Sequence, residues 1–354
     1  MIKKMSRINK KIIQEVMGKL PPEQKADAVR DISFLSCSIF TDTHQFSFRK
    51  FFNFSGFSII YWFVRPDGNV VFYRSWKEYD LFAEKVGRKY LQDFKFARRT
   101  ADTLIRMSDD IENFIKKNDT LEKFLAKKKY FITLYRDFFA FHQAAFWPLE
   151  YLSKNKDSLN KKKIDKIAEV LGRAYRYNEM VVPDVEKYFS KLKIADLLPK
   201  EISSLKKRIT KNRSILLLNK KIYILSVLEA KKINQALARK RNKYEKQIKD
   251  LKGFGAYPGR AVGKVEVINN YKDFKNLRSG NILVTAQTRP QYNFFLKKVK
   301  AIITDEGGLL CHAAILAREF KIPAIVGTKI ATKVLRDGMT VEVDANKGII
   351  KIIK

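Results

Sequence analysis

The spacing of apolar residues predicts long helices across the middle of the chain. Large apolar residues recur every three or four positions after Trp76, as one buried helix face requires: Tyr79, Phe82, Val86, Tyr90 and Phe94. The same period recurs in residues 132–151 and 164–177. We therefore expect residues 1–250 to form a mainly α-helical domain.

Two short runs of β-branched and aromatic residues, 57–64 and 69–74, flank the turn-forming sequence Arg65-Pro66-Asp67-Gly68. Proline presets one turn residue and glycine accepts positive φ, so this segment predicts a β-hairpin. Ser75 then predicts a helix N-cap, with Glu78 completing a capping box. Residues 214–225 favour a further small hairpin.

The pattern changes near Gly253-Phe254-Gly255, where short apolar runs and glycine turns replace long helices. The strand-like runs are 262–268, 281–286, 301–304, 324–326, 340–343 and 349–353. We expect a separate domain over 251–354, joined to the first by a flexible tether near Lys252–Gly255. The predicted fold class is α+β multidomain.

Composition agrees with two folded domains. The chain has 354 residues, of which 45% are hydrophobic, and this is enough for sizeable cores. Its two cysteines, Cys37 and Cys311, lie far apart, so we expect no disulfide framework and a cytoplasmic location. No stretch is long and apolar enough to predict a membrane span or a signal peptide.

The net charge of +35 is unusual. One interpretation is binding to nucleic acid or an anionic membrane through phosphate groups. The other is a general enrichment in lysine on solvated helix faces. The lysines occur in short scattered runs and no known nucleic-acid module is present, which favours the second interpretation.

Residues 301–327 contain the main candidate for chemistry. A buried strand leads into Asp305, Glu306, Gly307 and Gly308, and His312 follows near the start of a predicted helix. A helix N-terminus attracts phosphate, and paired glycines let backbone amides approach an anion. A neutral imidazole is a competent nucleophile toward phosphorus. The alternative is that His312 has only a capping or core role.

The wider pattern resembles the mobile phosphohistidine domain of phosphoenolpyruvate (PEP) synthase, pyruvate phosphate dikinase and related PEP-utilising enzymes. The matching positions in the central segment are Thr304, Asp305, Gly307, Gly308, Cys311, His312, Ala314, Ile315, Ala317, Arg318, Glu319, Ile322, Pro323, Ala324 and Gly327. Further matches are 256–259, 263–265, 280–284, 288–290, Gly338, 343–344 and Gly348. The resemblance covers about residues 251–354 and implies a swivelling β/β/α phosphohistidine domain.

The resemblance implies a role for each matching site residue. His312 would carry a phosphoryl group, and Arg318 would balance its charge or anchor the loop. The alternative for Arg318 is a surface ion pair with Glu319 or another neighbour. The phosphate loop would comprise Thr304, Asp305, Gly307, Gly308 and Cys311. Leu310 departs from the family, because the dikinases and synthases usually have threonine at that position.

We recognise no ATP-grasp pattern in residues 1–250, and we expect no PEP-binding barrel after the mobile domain. We therefore expect Mg²⁺ and ATP or PEP only through a separate phosphotransfer partner or an unrecognised site, and no intrinsic cofactor. The leading hypothesis is a phosphotransferase component, hence a transferase or kinase activity. The alternatives are a non-catalytic regulatory or docking module and a basic nucleic-acid-binding protein.

Two other histidines are secondary candidates. His44 follows Thr41-Asp42-Thr43, and His142 lies among phenylalanines on a predicted helix face. Either could contribute to a second site, but a hydrogen-bonded core position is the favoured interpretation for His142. Three isolated histidines and two cysteines have no metal-ligand spacing, so no metal site is predicted.

Overall fold

The computed structural model describes residues 10–20, 29–30, 32–64, 70–154, 161–177, 180–197, 199, 213–245, 248, 250–268, 271–288, 293–308 and 311–353. They form two compact units. The helical unit comprises the described residues of 10–19 and 30–233, and the C-terminal unit comprises Leu20, Val29 and the described residues from 234 onward. The division falls inside the helix Val227–Glu245, whereas the expected division was at 250/251.

The helical unit contains most of the long helices. They are α1 (Lys10–Lys19), α2 (Phe34–Asp42), α3 (Phe48–Phe52), α4 (Trp76–Gln92), α5 (Phe94–Lys117), α6 (Leu121–Lys154), α7 (Lys161–Tyr177), α8 (Val181–Lys191) and the start of α9 (Val227–Glu245). A π-helical turn, Thr43–Ser47, joins α2 to α3. The first four apolar residues of the predicted α4 stripe are buried, so the sequence period identified its core face.

The start of α4 is capped as predicted, but the capping box is incomplete. Ser75 Oγ accepts a hydrogen bond from the backbone N–H of Glu78 at 3.3 Å. The Glu78 carboxylate accepts from the backbone N–H of Ser58 at 2.9 and 3.0 Å, instead of bonding back to Ser75. The Glu78 carboxylate therefore links the start of α4 to Ser58, the residue that directly precedes Ile59–Val64, a strand of the sheet described next.

The small hairpin expected in residues 57–74 is part of a larger sheet. Its strands are β1 (Val29–Arg30), β2 (Ile59–Val64), β3 (Val70–Arg74), β4 (Ser214–Leu218) and β5 (Lys221–Leu225), in the order β1-β3-β2-β4-β5. Trp62 pairs with Phe72 in β3 and with Ile215 in β4. The two predicted hairpins thus join through β2 and β4, although the predicted turn at residues 65–68 lies outside the described residues.

The C-terminal unit is built around an eight-stranded mixed sheet. Its strands are β6 (Asp250–Lys252), β7 (Phe254–Tyr257), β8 (Arg260–Val267), β9 (Ile282–Thr285), β10 (Ala301–Thr304), β11 (Ala324–Val326), β12 (Thr340–Asp344) and β13 (Ile349–Ile352). The order is β6-β13-β12-β8-β9-β10-β11-β7. Three short helices, α10 (Asn293–Leu296), α11 (His312–Phe320) and α12 (Ala331–Val334), and a 3₁₀ turn at Tyr271–Asn276 complete the unit.

The expected tether near Lys252–Gly255 is wrong. Lys252 lies in β6, the strand at one edge of the sheet, and pairs with Ile349. Gly255 lies in β7, the strand at the other edge, and pairs with Ile325. Because only Gly253 separates these two edge strands, the sheet must curl until its edges approach each other. An added Cβ at Gly255 would lie 1.8 Å from the carbonyl oxygen of Ala345, so the close approach requires glycine there.

Three parallel strands, β9, β10 and β11, form the part of the sheet that leads to the candidate site. Thr304 is in register with Thr285, and Ile303 with Ile325. All three strands are fully buried apolar runs, which is typical of parallel strands covered on both faces. Their carboxyl ends therefore deliver three loops to one edge of the sheet. None of the helices in the described parts has the length and apolarity needed to cross a membrane.

Candidate functional site

His312 is the first residue of α11, directly after the N-cap Cys311. Buried alanines and Leu316 on the same helix pack against the sheet, which fixes the start of the helix at the edge where β10 ends. The His312 side chain is half-buried. The first N–H groups of a helix lack intrahelical partners, so the position of the imidazole combines partial exposure with a local positive potential.

A threonine from the neighbouring loop orients the His312 ring. Thr288 follows β9 and places its Oγ1 3.0 Å from His312 Nδ1. Burial lowers the pKa of His312 to about 4, so the imidazole is neutral at physiological pH. Thr288 matches the family pattern at 288–290, but the sequence did not predict it as a site residue. It lies 24 positions before His312, so no local pattern signals their contact.

Thr304 and Asp305 support the loop that precedes α11. Thr304 Oγ1 donates to the carbonyl oxygen of Glu306 at 2.7 Å. The buried Asp305 carboxylate accepts from the backbone N–H of Thr332 at 3.1 Å and from Thr328 Oγ1 at 3.2 Å. Asp305 therefore joins the loops after β10 and β11, consistent with a loop-fixing role.

The two glycines shape this loop in different ways. Gly307 has φ +110°, and an added Cβ would lie 2.6 Å from Cys311 Sγ. The carbonyl oxygen of Gly308 accepts from the backbone N–H of Cys311 at 3.0 Å. The loop thus turns tightly onto the N-cap of α11, and a side chain at Gly307 would displace Cys311.

Cys311 and Arg318 lie one and six residues from His312 along the chain. Burial raises the pKa of the Cys311 thiol to about 11, so the sulfur is protonated and serves in packing. Arg318 is exposed and lies two helical turns beyond Cys311, on the same side of α11. Its charge slightly opposes the effect of burial on the thiol. Arg318 is turned about 120° around the helix from His312.

The remaining histidines lie in the helical unit. His44 is fully buried in the π-helical turn, where its Nδ1 contacts the carbonyl oxygen of Phe40 at 2.6 Å and its ring packs against Phe48 and Phe57. His142 stacks near Phe139 and Tyr175. Across the described ranges, no group of three or more His, Cys, Asp or Glu side chains is placed to hold a metal ion.

Comparison with known proteins places the family match on this site. Residues 277–348 match the family described as PEP-utilising enzyme, mobile domain. A probable phosphoenolpyruvate synthase of Archaeoglobus fulgidus is 56% identical over 100 residues, 28% of this chain and 13% of that protein. A second, from Methanothermobacter thermautotrophicus, is 45% identical over 100 residues, 28% of this chain and 15% of that protein.

A solved structure of aconitase X from Thermococcus kodakaraensis aligns with 30% of this chain and 98% of its own, at 26% identity and a TM-score of 0.25. The chain spans only about one seventh of the length of the synthases that it matches. The matched segment nevertheless contains the strand end, the glycine pair and His312 together. Residues 277–348 therefore belong to the mobile-domain family of PEP-utilising enzymes.

Proposed function

We propose that the C-terminal unit is a carrier unit, which transfers a phosphoryl group on His312 between a donor site and an acceptor site. The observation that carries this proposal is the contact between His312 Nδ1 and Thr288 Oγ1, made by a neutral, half-buried imidazole at a helix N-terminus. The homology of the segment to phosphoenolpyruvate synthases supports phosphotransfer in general. The role of His312 as carrier is inferred from the geometry.

We take Nδ1–H as the donor to Thr288 Oγ1, and this tautomer makes Nε2 the reactive nitrogen. In the tautomer with Nδ1–H donating to Thr288 Oγ1, Nε2 has a free lone pair. Because the pKa of His312 is about 4, protonation does not remove that lone pair near pH 7. Nε2 is therefore the nucleophile, and Nδ1 keeps its proton throughout.

The chemical step needs a phosphoryl donor with a good leaving group, namely a phosphoanhydride such as ATP or the enol phosphate PEP. The Nε2 lone pair forms a bond to phosphorus, and the P–O bond to the leaving group breaks with its electron pair. The product is a phosphoramidate on Nε2, and its ring is an imidazolium because Nδ1 keeps its proton. An acceptor oxygen then attacks the same phosphorus, the P–N bond breaks to return the lone pair to Nε2, and the proton of an acceptor hydroxyl passes to solvent.

The start of α11 stabilises the phosphorylated state. A dianionic phosphoryl group beside a helix N-terminus interacts favourably with the unpaired N–H groups and the positive end of the helix dipole, an effect of roughly 0.3–1 kcal/mol. Gly307 and Gly308 keep side chains away from this edge. The donor and its Mg²⁺ would be held by a separate phosphotransfer partner.

The test is phosphoryl labelling of the full chain with phosphorus-labelled ATP or PEP, with and without cell extract. We expect one acid-labile, base-stable phosphoryl group that maps to His312 by mass spectrometry and is absent from His312→Ala. His142→Gln is the matched control, since it removes an imidazole from the other unit, and it should label normally. Labelling that persists in His312→Ala, or no labelling with either donor, would refute the proposal.

A further inference from the structure

A basic and aromatic surface lies on the carrier unit at the far end of α11 from His312. We define this basic-aromatic patch as Phe294, Lys297, Lys298, Phe320 and Lys321. Phe294 is 73% exposed, the highest value among the large apolar side chains that the structure describes. A single exposed apolar side chain is common on protein surfaces, so Phe294 indicates an interaction site only together with the aromatic and charged residues around it.

The exposed ring of Phe294 is connected to the core of the unit through two further phenylalanine rings. The ring of Phe294 packs edge-on against Phe295, with ring centroids 5.7 Å apart, and Phe295 in turn lies 6.1 Å from the buried Phe274. Phe274 is fully buried. Phe294 is thus an aromatic anchor mounted on a ring that packs on the core, and a side chain with only two χ angles loses little entropy on binding.

Two lysine side chains of the patch lie close to its aromatic rings. Lys298 Nζ lies 5.7 Å from the Phe294 ring centroid, and Lys297 Nζ lies 5.3 Å from that of Phe320. Residues 293–300 contain three lysines and no carboxylate, and Glu319 is the acidic residue of α11 at the margin of the patch. Neither Lys297 nor Lys298 forms an ion pair within the described part of the chain. The patch therefore presents uncompensated positive charge around an apolar ring.

The patch and His312 are close enough to share one interface. The eight-residue step from His312 to Phe320 along α11 corresponds to about 12 Å. A standard interface covers about 800 Å² on each partner, which is a circle of about 16 Å radius. The distance from His312 to the patch is therefore within the span of one standard interface.

We propose that the basic-aromatic patch is the docking surface for the protein partner that exchanges phosphate with His312, and that this partner presents an acidic surface with an apolar recess for Phe294. This inference rests on the proposed function. Charge complementarity identifies the partner as acidic, and the mounted aromatic anchor favours a protein recess over a nucleic-acid backbone. A nucleic-acid ligand is the competing outcome of the test.

The test measures binding of the ¹⁵N-labelled full chain to a synthetic peptide of glutamates around a central leucine, and to a single-stranded oligonucleotide, by NMR chemical-shift changes. We expect the peptide to shift the amides of Phe294–Lys298 and Phe320, with an affinity that falls as salt rises. The double variant Lys297→Glu/Lys298→Glu should weaken peptide binding at least tenfold, and Phe294→Ala about fivefold.

The matched control is Lys347→Glu/Lys351→Glu, which changes the net charge equally at exposed positions of the β12–β13 hairpin. It should leave peptide binding within twofold. Equal loss in both double variants, or tighter binding of the oligonucleotide at the patch, would overturn the proposal. Peptide binding needs no phosphoryl transfer. The docking proposal can therefore be refuted while His312 is labelled normally, and the phosphotransfer proposal can be refuted while the peptide still binds the patch.

Discussion

Thr288 Oγ1 lies 3.0 Å from His312 Nδ1, and this contact joins the loop after β9 to the first residue of α11. The hydroxyl orients the imidazole, and in the tautomer of the proposed transfer it accepts the hydrogen bond from Nδ1–H. A carrier histidine needs both, because its second nitrogen has to point toward the donor with its lone pair free. Thr288 is therefore a positioning residue for the proposed transfer.

Replacing Thr288 by valine tests this relationship at nearly constant volume. Thr288→Val removes the hydroxyl and leaves Nδ1–H without its partner, which costs about 1 kcal/mol and should lower the initial rate of His312 labelling five- to tenfold. Thr288→Ser retains a hydroxyl and should recover most of the rate. If the valine variant labels as fast as the serine variant, the contact does not position the ring.

The lowered pKa of His312 predicts an unusual pH profile. An ordinary histidine loses its lone pair below about pH 6.5. Burial lowers the pKa of His312 to about 4, so its nucleophilic form stays fully populated down to about pH 5. We expect the rate of His312 labelling to stay flat from pH 8 to pH 5 when the donor is kept saturating.

An NMR titration of histidine-labelled protein measures this pKa directly, because the chain has three histidines and His312→Gln assigns the signal. A midpoint near 4 is the expected result. A midpoint near 6.5 would contradict the burial of the imidazole.

Gly307 and Gly338 form a matched pair for testing the loop. Both have positive φ, +110° and +83°, but an added Cβ at Gly338 meets nothing within 4 Å. Gly338→Ala should therefore show the cost of backbone strain alone, roughly 1–2 kcal/mol. Gly307→Ala adds a clash with Cys311 and should cost about 2 kcal/mol more.

Hydrogen exchange of the β9, β10 and β11 amides measures the stability of the carrier unit in both glycine variants. We also expect Gly307→Ala, but not Gly338→Ala, to reduce His312 labelling at least tenfold. Equal effects of the two substitutions would show that the close approach of Gly307 to Cys311 is unimportant.

Asp42 at the end of α2 predicts a pH effect on the stability of the helical unit. Burial raises the pKa of Asp42 from 3.8 to about 6, although the charge of Arg136 partly opposes it. The folded unit therefore binds the proton more tightly than the unfolded chain, and its stability falls as pH rises from about 4 to 6. Above pH 6 the charged, buried carboxylate is fully destabilising.

Asp42→Asn should therefore raise the unfolding free energy by about 2 kcal/mol at pH 8 and leave it unchanged at pH 3.5. Urea unfolding followed by tryptophan fluorescence reports this unit alone, since Trp62, Trp76 and Trp147 all belong to it. The exposed Asp102→Asn removes the same charge from the surface of this unit, and this control should change the unfolding free energy at pH 8 by less than about 0.5 kcal/mol. Equal stability of Asp42→Asn and the unchanged chain at pH 8 would show that Asp42 is not buried in its charged form.

The local pattern of apolar residues was sufficient to predict two of the core strands of the carrier unit. The runs at 301–304 and 324–326 are the strands β10 and β11, residue for residue. Buried parallel strands are continuous apolar runs, and Pro323 and the glycines mark where they begin and end. The family motif likewise located His312 before any contact was known.

The errors have one physical source, which is pairing between distant segments. Phe254–Tyr257 reads as a glycine-rich connection, yet it is a strand because β11, about 70 residues later, supplies its hydrogen-bond partners. The hairpins at 57–74 and 214–225 each have their own turn signal. Their union in one sheet depends on the register of Trp62 with Ile215, which no local pattern encodes.

The sequence by itself determined which residue is the candidate carrier and which loop presents it, because periodicity, glycine spacing and motif are local properties. Only the tertiary structure decided the state of that residue. The neutral charge of His312 depends on burial, and the orientation of its ring depends on Thr288, 24 residues earlier in the chain. Both follow from packing between distant segments, since the electrostatics of an ionisable side chain are set by whatever the fold places beside it.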